Sequence, residues 1–319
     1  MVTVVQDRGR AARLALYLGQ MFPLPQMVPY AAFHFFAVWF PLQAVAGLPV
    51  VRVTWNAVRG VATVLLFLLL MRVYDELKDA ATDLALGRSG DPRYRDRVLV
   101  TGAVTLEDIK FLRWIVTAAL IGLNLWPAGG WATVAFWLLF AVAWLSSRWF
   151  FWPPMSGHLL VAFITHNPIA LLLGAFIVGL FADTFGSEHV GGNALLLLVG
   201  LWLPMAAWET SRKIRAPEDE TSYQTYSRVL GWKVAPLLPA FFAIASAAAL
   251  VPVARAAGLG GLLSLVLVAA AGLVVYRCAL FRLFPSGRHA DLKPWTMLYA
   301  TVVNAGFVLA VLFHEPLAW

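Results

Sequence analysis

The sequence predicts an all-α protein, a polytopic membrane bundle of nine transmembrane helices with cytosolic loops carrying Asp-rich motifs. Three observations lead there: composition, the length of the apolar runs, and the segregation of charge. Of 319 residues, 61% are hydrophobic and only 13% charged, and the mean hydropathy is +0.76. An average globular protein carries roughly a quarter charged residues. This balance excludes a disordered chain, a secreted disulfide scaffold and an ordinary cytosolic enzyme. In lipid, only helices or closed barrels satisfy every backbone group. Barrel strands read as alternating segments of about ten residues. Here the apolar runs are continuous and about twenty long, the length of a helical crossing.

Taken in order, residues 1–20 carry Arg8, Arg10 and Arg13 and lack a long apolar core with a small-residue cleavage site. They read as an interfacial segment, not a signal peptide. Nine candidate spans follow at 27–46, 54–74, 109–126, 131–147, 158–181, 193–208, 230–251, 259–281 and 295–313. Trp126, Trp131, Trp232 and Trp295 near their ends fit an interfacial aromatic belt. The whole chain, 1–319, reads as one integral-membrane domain. Its single cysteine, Cys278, excludes an intrachain disulfide and a Cys-based metal site.

Orientation follows from the positive-inside rule. With a cytoplasmic N-terminus, 21 of the 24 basic residues fall on the cytoplasmic side; Arg52, Arg59 and Arg255 are the exceptions. The basic excess is thereby explained without nucleic acid as a partner.

The acids are more sharply placed. Of 17, eight lie from Asp75 to Asp108, after the second span, and four from Glu209 to Glu220, after the sixth. Two acidic loops four spans apart hint at an internal repeat. Asp75, Asp79 and Asp83 are spaced i, i+4, i+8, and Glu76, Asp79 and Asp83 i, i+3, i+7. If the second span continues as a helix, these carboxylates share a face. Like charges so placed repel by a few tenths of a kcal/mol per pair, and a divalent cation would offset that. Mg²⁺ suits carboxylates and usually retains water and substrate phosphate as further ligands. A solvated acidic helix balanced by Arg72 and Lys78 is the bland alternative. In the second loop Glu209 ends span six as Asp75 ends span two, and Arg212, Lys213 and Arg215 precede Pro217 and Glu218–Glu220. Arg and Lys at a charged cleft can hold a diphosphate, or they are topology signals only.

These residues resemble the UbiA-type superfamily of intramembrane prenyltransferases, which includes related membrane terpene cyclases. Asp75-Glu76-x-x-Asp79-x-x-x-Asp83 is similar to that family's first motif, Asn-Asp-x-x-Asp-x-x-x-Asp. Arg97-Val-Leu-Val-Thr-Gly102 keeps the Arg and Gly of a following Arg-Pro-x-x-x-Gly. The second motif departs: Lys213 and Pro217 stand where the family places acids. The resemblance implies nine helices and an isoprenyl diphosphate bound at the cytosolic mouth, its tail in the bundle among membrane lipid. It implies Mg²⁺ on Asp75, Glu76, Asp79 and Asp83, with Glu209 and Asp219 as second-motif ligands. Arg72, Lys78, Arg97, Arg212, Lys213, Tyr223 and Tyr226 are the implied diphosphate contacts, and Tyr74 sits beside the acids. Asp75, Asp79, Asp83 and Lys213 carry the ionisation, Lys213 standing in for a missing metal charge.

The implied reaction is Mg²⁺-dependent ionisation of the diphosphate and transfer of the prenyl group to an acceptor such as an aromatic ring. A terpene cyclase on the same scaffold is the alternative, since both share the ionisation step. A transporter fits less well, because the spans are nearly free of acids. Polar residues within the spans, His34, Asn56, His166, Asn167 and Asn304, either mark a reaction chamber or form interhelical hydrogen bonds.

Overall fold

Where no water reaches the backbone, an apolar run must close its hydrogen bonds internally, and this chain does so almost throughout. A computed structural model describes residues 8–92, 94–125, 129–220 and 224–319, without the side chains of Pro153 and Ser156. A short helix α1 (Arg10–Met21) precedes α2 (Leu24–Val45) and α3 (Trp55–Arg88). Then come α4 (Leu106–Asn124), α5 (Trp131–Ser147), a broken pair α6 (Leu159–His166) and α7 (Pro168–Phe185), and α8 (Gly192–Ser211). A short α9 (Tyr226–Leu230) leads to α10 (Leu237–Ala256), α11 (Gly260–Leu283), a single turn α12 (Gly287–Ala290) and α13 (Lys293–His314).

Each predicted span lies at least in part on one of these helices. Seven helical stretches are long and apolar enough to cross a membrane. The apolar α5 is shorter, at 17 residues, and α4 opens with Glu107, Asp108, Lys110 and Arg113 in its first turns. The chain is a multi-pass helical membrane protein.

Two boundaries differ from expectation. Helix α3 runs on to Arg88, so the first acidic segment is a helical extension and not a loop. Residues 75–86 contain no Gly or Pro and half of them are Ala or Leu, which gives the helix no reason to stop. The seventh span starts late, at Leu237, because Gly231 adopts φ +80° and Pro236 caps the helix.

Close approaches of small residues pack the bundle. A Cβ on Gly179 of α7 would stand 2.8 Å from the Ala132 backbone nitrogen of α5, and one on Gly200 of α8 would stand 2.5 Å from Leu250 of α10. Small residues at such crossings let helices approach without a hydrophobic drive between them. The core is aromatic where α2 meets α7: Trp39 packs on Phe35, Phe181 and Phe185 at ring distances of 5.4, 6.2 and 5.5 Å.

One end of the bundle is tied tightly. A two-residue strand β1 (Val51–Arg52) pairs in parallel with β2 (Leu317–Ala318). Gln43 is fully buried and brackets Arg52, accepting from its N–H at 2.7 Å and donating to its carbonyl at 3.1 Å. Asp183 accepts from the Trp131 and Ala132 N–H groups at 2.8 and 2.9 Å, capping α5. The two acidic segments, on the extension of α3 and after α8, lie at the opposite rim, where the connections are longer.

Candidate functional site

The last turns of α3 set the first half of the site. Asp75, Asp79 and Asp83 follow one another at one-turn intervals, as the spacing requires on a continuous helix. Their partners differ. Glu76 is buried and paired with Arg72, one turn earlier. Asp83, also buried, is paired with Arg97 from the α3–α4 connection. Asp75 receives Lys78 Nζ at 3.1 Å, and that ammonium lies 4.6 Å from the centre of the Trp149 ring. Asp79 is exposed and makes no hydrogen bond or ion pair among the described residues.

Arg97 is placed by its loop, and the loop by α1. The Gln20 side chain donates to the Asp96 carbonyl at 2.9 Å and accepts from the Val98 N–H at 2.8 Å, clasping the backbone on both sides of Arg97. Gly87 lets Val100 lie directly against α3, where any Cβ would collide with it. At the other end of the loop, Thr105 and Asp108 form a reciprocal cap on α4. Asp108 also takes the Arg13 guanidinium at 2.8 and 2.7 Å and stands 3.4 Å from Arg10. That guanidinium holds the Asp108 carboxyl well below the usual carboxylate range, outweighing the opposite push of burial, and the Thr105 N–H adds to it. Tyr17 of α1 is fully buried, and burial, then the nearby Glu76 charge, raises its phenol well above the ordinary value.

The second half lies at the end of α8. Glu209 is held by Arg212 through two bonds, at 2.5 and 2.7 Å, and by Lys213 at 3.1 Å. The following loop is braced by the Tyr226 N–H to the Lys213 carbonyl at 2.8 Å and the Arg215 N–H to Ser227 Oγ at 2.9 Å. Glu220 accepts from Thr225, and Glu218 from the Gly287 N–H at 2.8 Å. Asp219 is exposed and, with Arg212, Arg215 and Lys293, lines a cavity of about 440 Å³.

The two halves share a rim. Lys78 reaches Trp149 in the α5–α6 connection, and the Leu159 N–H at the start of α6 donates to Gln224 Oε1, beyond α8, at 3.0 Å. The 148–159 segment therefore bridges them. Its Trp149, Phe150 and Phe151 hold φ of 51°, 51° and 56°, a left-handed conformation that bulky residues adopt only when their surroundings impose it.

Two solved structures are similar to this chain in overall fold. A UbiA homolog from Aeropyrum pernix K1 superposes with a TM-score of 0.62 at 19% identity, over 88% of this chain and 98% of its own. A digeranylgeranylglyceryl phosphate synthase gives 0.60 at 12% identity, over 95% and 99%. The chain has the UbiA-type fold. No family model matches the sequence, and no curated protein does.

Within this UbiA-type bundle the implied residues divide by their partners. Arg72 and Arg97 answer acids of α3 itself, and Arg212 and Lys213 answer Glu209. Tyr226 is fully buried, 6.4 Å from the Phe163 ring, and does not stand at the open rim. Tyr74 lines a cavity between α3, α4 and α5. Tyr223 lies outside the described residues.

Among the described residues no three His, Cys, Asp or Glu side chains gather into a metal cage. Mg²⁺ does not require one, since it is commonly held by one or two carboxylates together with substrate phosphate and water. Asp75 and Asp79 fit that chemistry, one partly and one wholly unpaired. Glu76, Asp83 and Glu209 already answer cations, and Asp219 borders the separate cavity.

Of the polar residues within spans, Asn167 and Asn56 form interhelical hydrogen bonds, whereas His34 Nε2, His166 Nε2 and Asn304 Oδ1 are buried without a partner among the described residues. Asn167, at the α6–α7 break, accepts from Trp202 Nε1 at 2.6 Å, and Asn56 donates to Thr184 at 2.8 Å. His166 Nδ1 donates to the Ala162 carbonyl at 3.0 Å, and its ring lies 5.2 Å from Trp149. Sequence reasoning missed Gln20, whose role depends on how α1 docks. It also passed over Arg113 and Arg148; a charge inside the predicted third span, 109–126, was the available signal for Arg113.

Proposed function

We propose that this protein is an intramembrane prenyltransferase. It takes an isoprenyl diphosphate at the acidic rim, ionises it, and transfers the prenyl group to an acceptor such as an aromatic ring. In this reading the chain crosses the bilayer nine times, with the N-terminus and both acidic segments cytoplasmic. The observation that carries the reading is the free carboxylate of Asp79, one turn from Asp75 and within the field of Lys78 and Arg72. The names of the two structural neighbours agree with it.

Breaking the allylic C–O bond builds negative charge on diphosphate and positive charge on carbon. Asp75 and Asp79 would hold Mg²⁺, which when bound supplies Lewis-acid stabilisation of the leaving oxygens. Arg97 and Lys78 sit where they can turn from their carboxylates to the departing diphosphate. At the end of α8, Arg212 and Lys213 outnumber the Glu209 they hold, so cations of the chain replace part of what a second metal would provide. The apolar bundle beneath excludes water from the carbocation, and the Trp149 and Phe150 rings beside His166 offer π-faces to it.

Incubation of the purified protein with farnesyl or geranylgeranyl diphosphate and Mg²⁺ tests the proposal. Diphosphate is released, and Asp79→Ala abolishes release while thermal unfolding stays near wild type, because the side chain is exposed and unpaired. Undiminished release from Asp79→Ala refutes the assignment. Cyclic hydrocarbon formed without acceptor identifies the cyclase reaction instead of transfer.

A further inference from the structure

Beside the acidic rim, Tyr74, Leu77, Lys78, Arg113, Arg148 and Trp149 line a cavity of about 290 Å³ between α3, α4 and α5. Three cations converge there. Only Lys78 has a carboxylate, Asp75; among the described residues Arg113 and Arg148 have none. Two like charges left facing one hollow repel each other unless an anion joins them. The level is that of a membrane surface, since Trp114, Trp144, Phe151 and Trp152 are exposed on the surrounding helices and turns at 64, 42, 67 and 49%.

We propose that this cavity is a phosphate-binding site that takes the headgroup of an anionic phospholipid. Two guanidinium groups match phosphate oxygens by paired hydrogen bonds, and the Trp149 ring closes one wall. Basic pockets between membrane helices, on the side where the chain's positive charge collects, are suited to anionic headgroups. The acyl chains would run down the lipid-facing side of α4, past the exposed Ile115. The site shares Lys78 and Trp149 with the proposed prenyl chemistry and draws its other residues from outside it, so lipid occupancy and the ion pair to Asp75 are linked.

The test uses the full-length protein in phosphatidylcholine nanodiscs with or without phosphatidylglycerol. Lipid retained after transfer to detergent is counted by native mass spectrometry. Wild type retains phosphatidylglycerol, and Arg113→Gln with Arg148→Gln lowers its retention roughly tenfold, the scale expected for losing charge-assisted hydrogen bonds. The double Lys variant keeps most of it. Lys233→Gln, an exposed cation elsewhere, leaves it unchanged. If the double Gln variant does not fold, Arg148→Gln alone, at an exposed position, decides the matter with the Lys variant. Inorganic phosphate is the competing probe: displacement of phosphatidylglycerol by phosphate supports the phosphate site and assigns it to a soluble anion. Equal retention by wild type and Gln variants, or equal loss in Lys233→Gln, overturns the proposal.

Discussion

Removing the Gln20 side chain gives the sharpest test of how the rim is built. Gln20→Ala deletes the two bonds that clasp the backbone around Arg97, at 2.9 and 2.8 Å. Both are solvent-accessible and neutral, so each is worth about 1 kcal/mol net at most. Together they amount to about 1–2 kcal/mol, a change of about tenfold in the equilibrium between docked and released loop. Hydrogen exchange reads this directly: amides from Gly90 to Val104 lose about tenfold protection, while α10 and α11 keep theirs. Gln20→Glu retains an acceptor for the Val98 N–H but sets a carboxylate against the Asp96 carbonyl, and gives an intermediate loss. Because Arg97 touches the proposed diphosphate site only when docked, KM for the diphosphate substrate rises more than kcat falls. Unchanged protection in this loop, or a loss spread evenly over the bundle, refutes the clasp.

Acid dependence follows from Asp108, whose folded carboxyl titrates below the unfolded value of about 3.9. Its contribution is therefore complete above that value and is lost as pH falls from there toward the folded one. Thermal unfolding in detergent shows the slope in wild type, and Asp108→Asn flattens it while lowering stability at neutral pH; parallel slopes exclude the Arg13–Asp108 pair as its source. Gly179→Ala forces a methyl group against the Ala132 backbone, which cannot yield as a side chain can. The variant is destabilised by about 1–3 kcal/mol in a denaturant titration, and wild-type stability would show that α5 and α7 are not in such close register.

The fold was legible because its cause is local: a run of about twenty apolar residues has few alternatives to a membrane helix. Termini were less so. That α3 continues to Arg88 depends on residues 75–86 lacking a breaker, which hydropathy windows ignore. The acids of the first segment could be named from the i, i+4, i+8 spacing alone. Which of them stay free could not, because Asp83 is answered by Arg97 only after the 89–105 connection folds back beneath α1. The second segment shows the same limit. Its reversal of charge is plain in Lys213 and Pro217, but the closure of Arg212 and Lys213 onto Glu209 is a matter of side-chain geometry at a helix end.

The short β1–β2 pair has a mechanical consequence. By lashing the chain's last residues to the α2–α3 turn, beside the Gln43 and Asp183 ties, it makes that face of the barrel of helices a fixed pivot. Any breathing that admits a bulky lipid-like molecule must then widen at the far face, as the ribs of a fan spread from their rivet. The chain thus directs its own looseness toward the end where its carboxylates are kept.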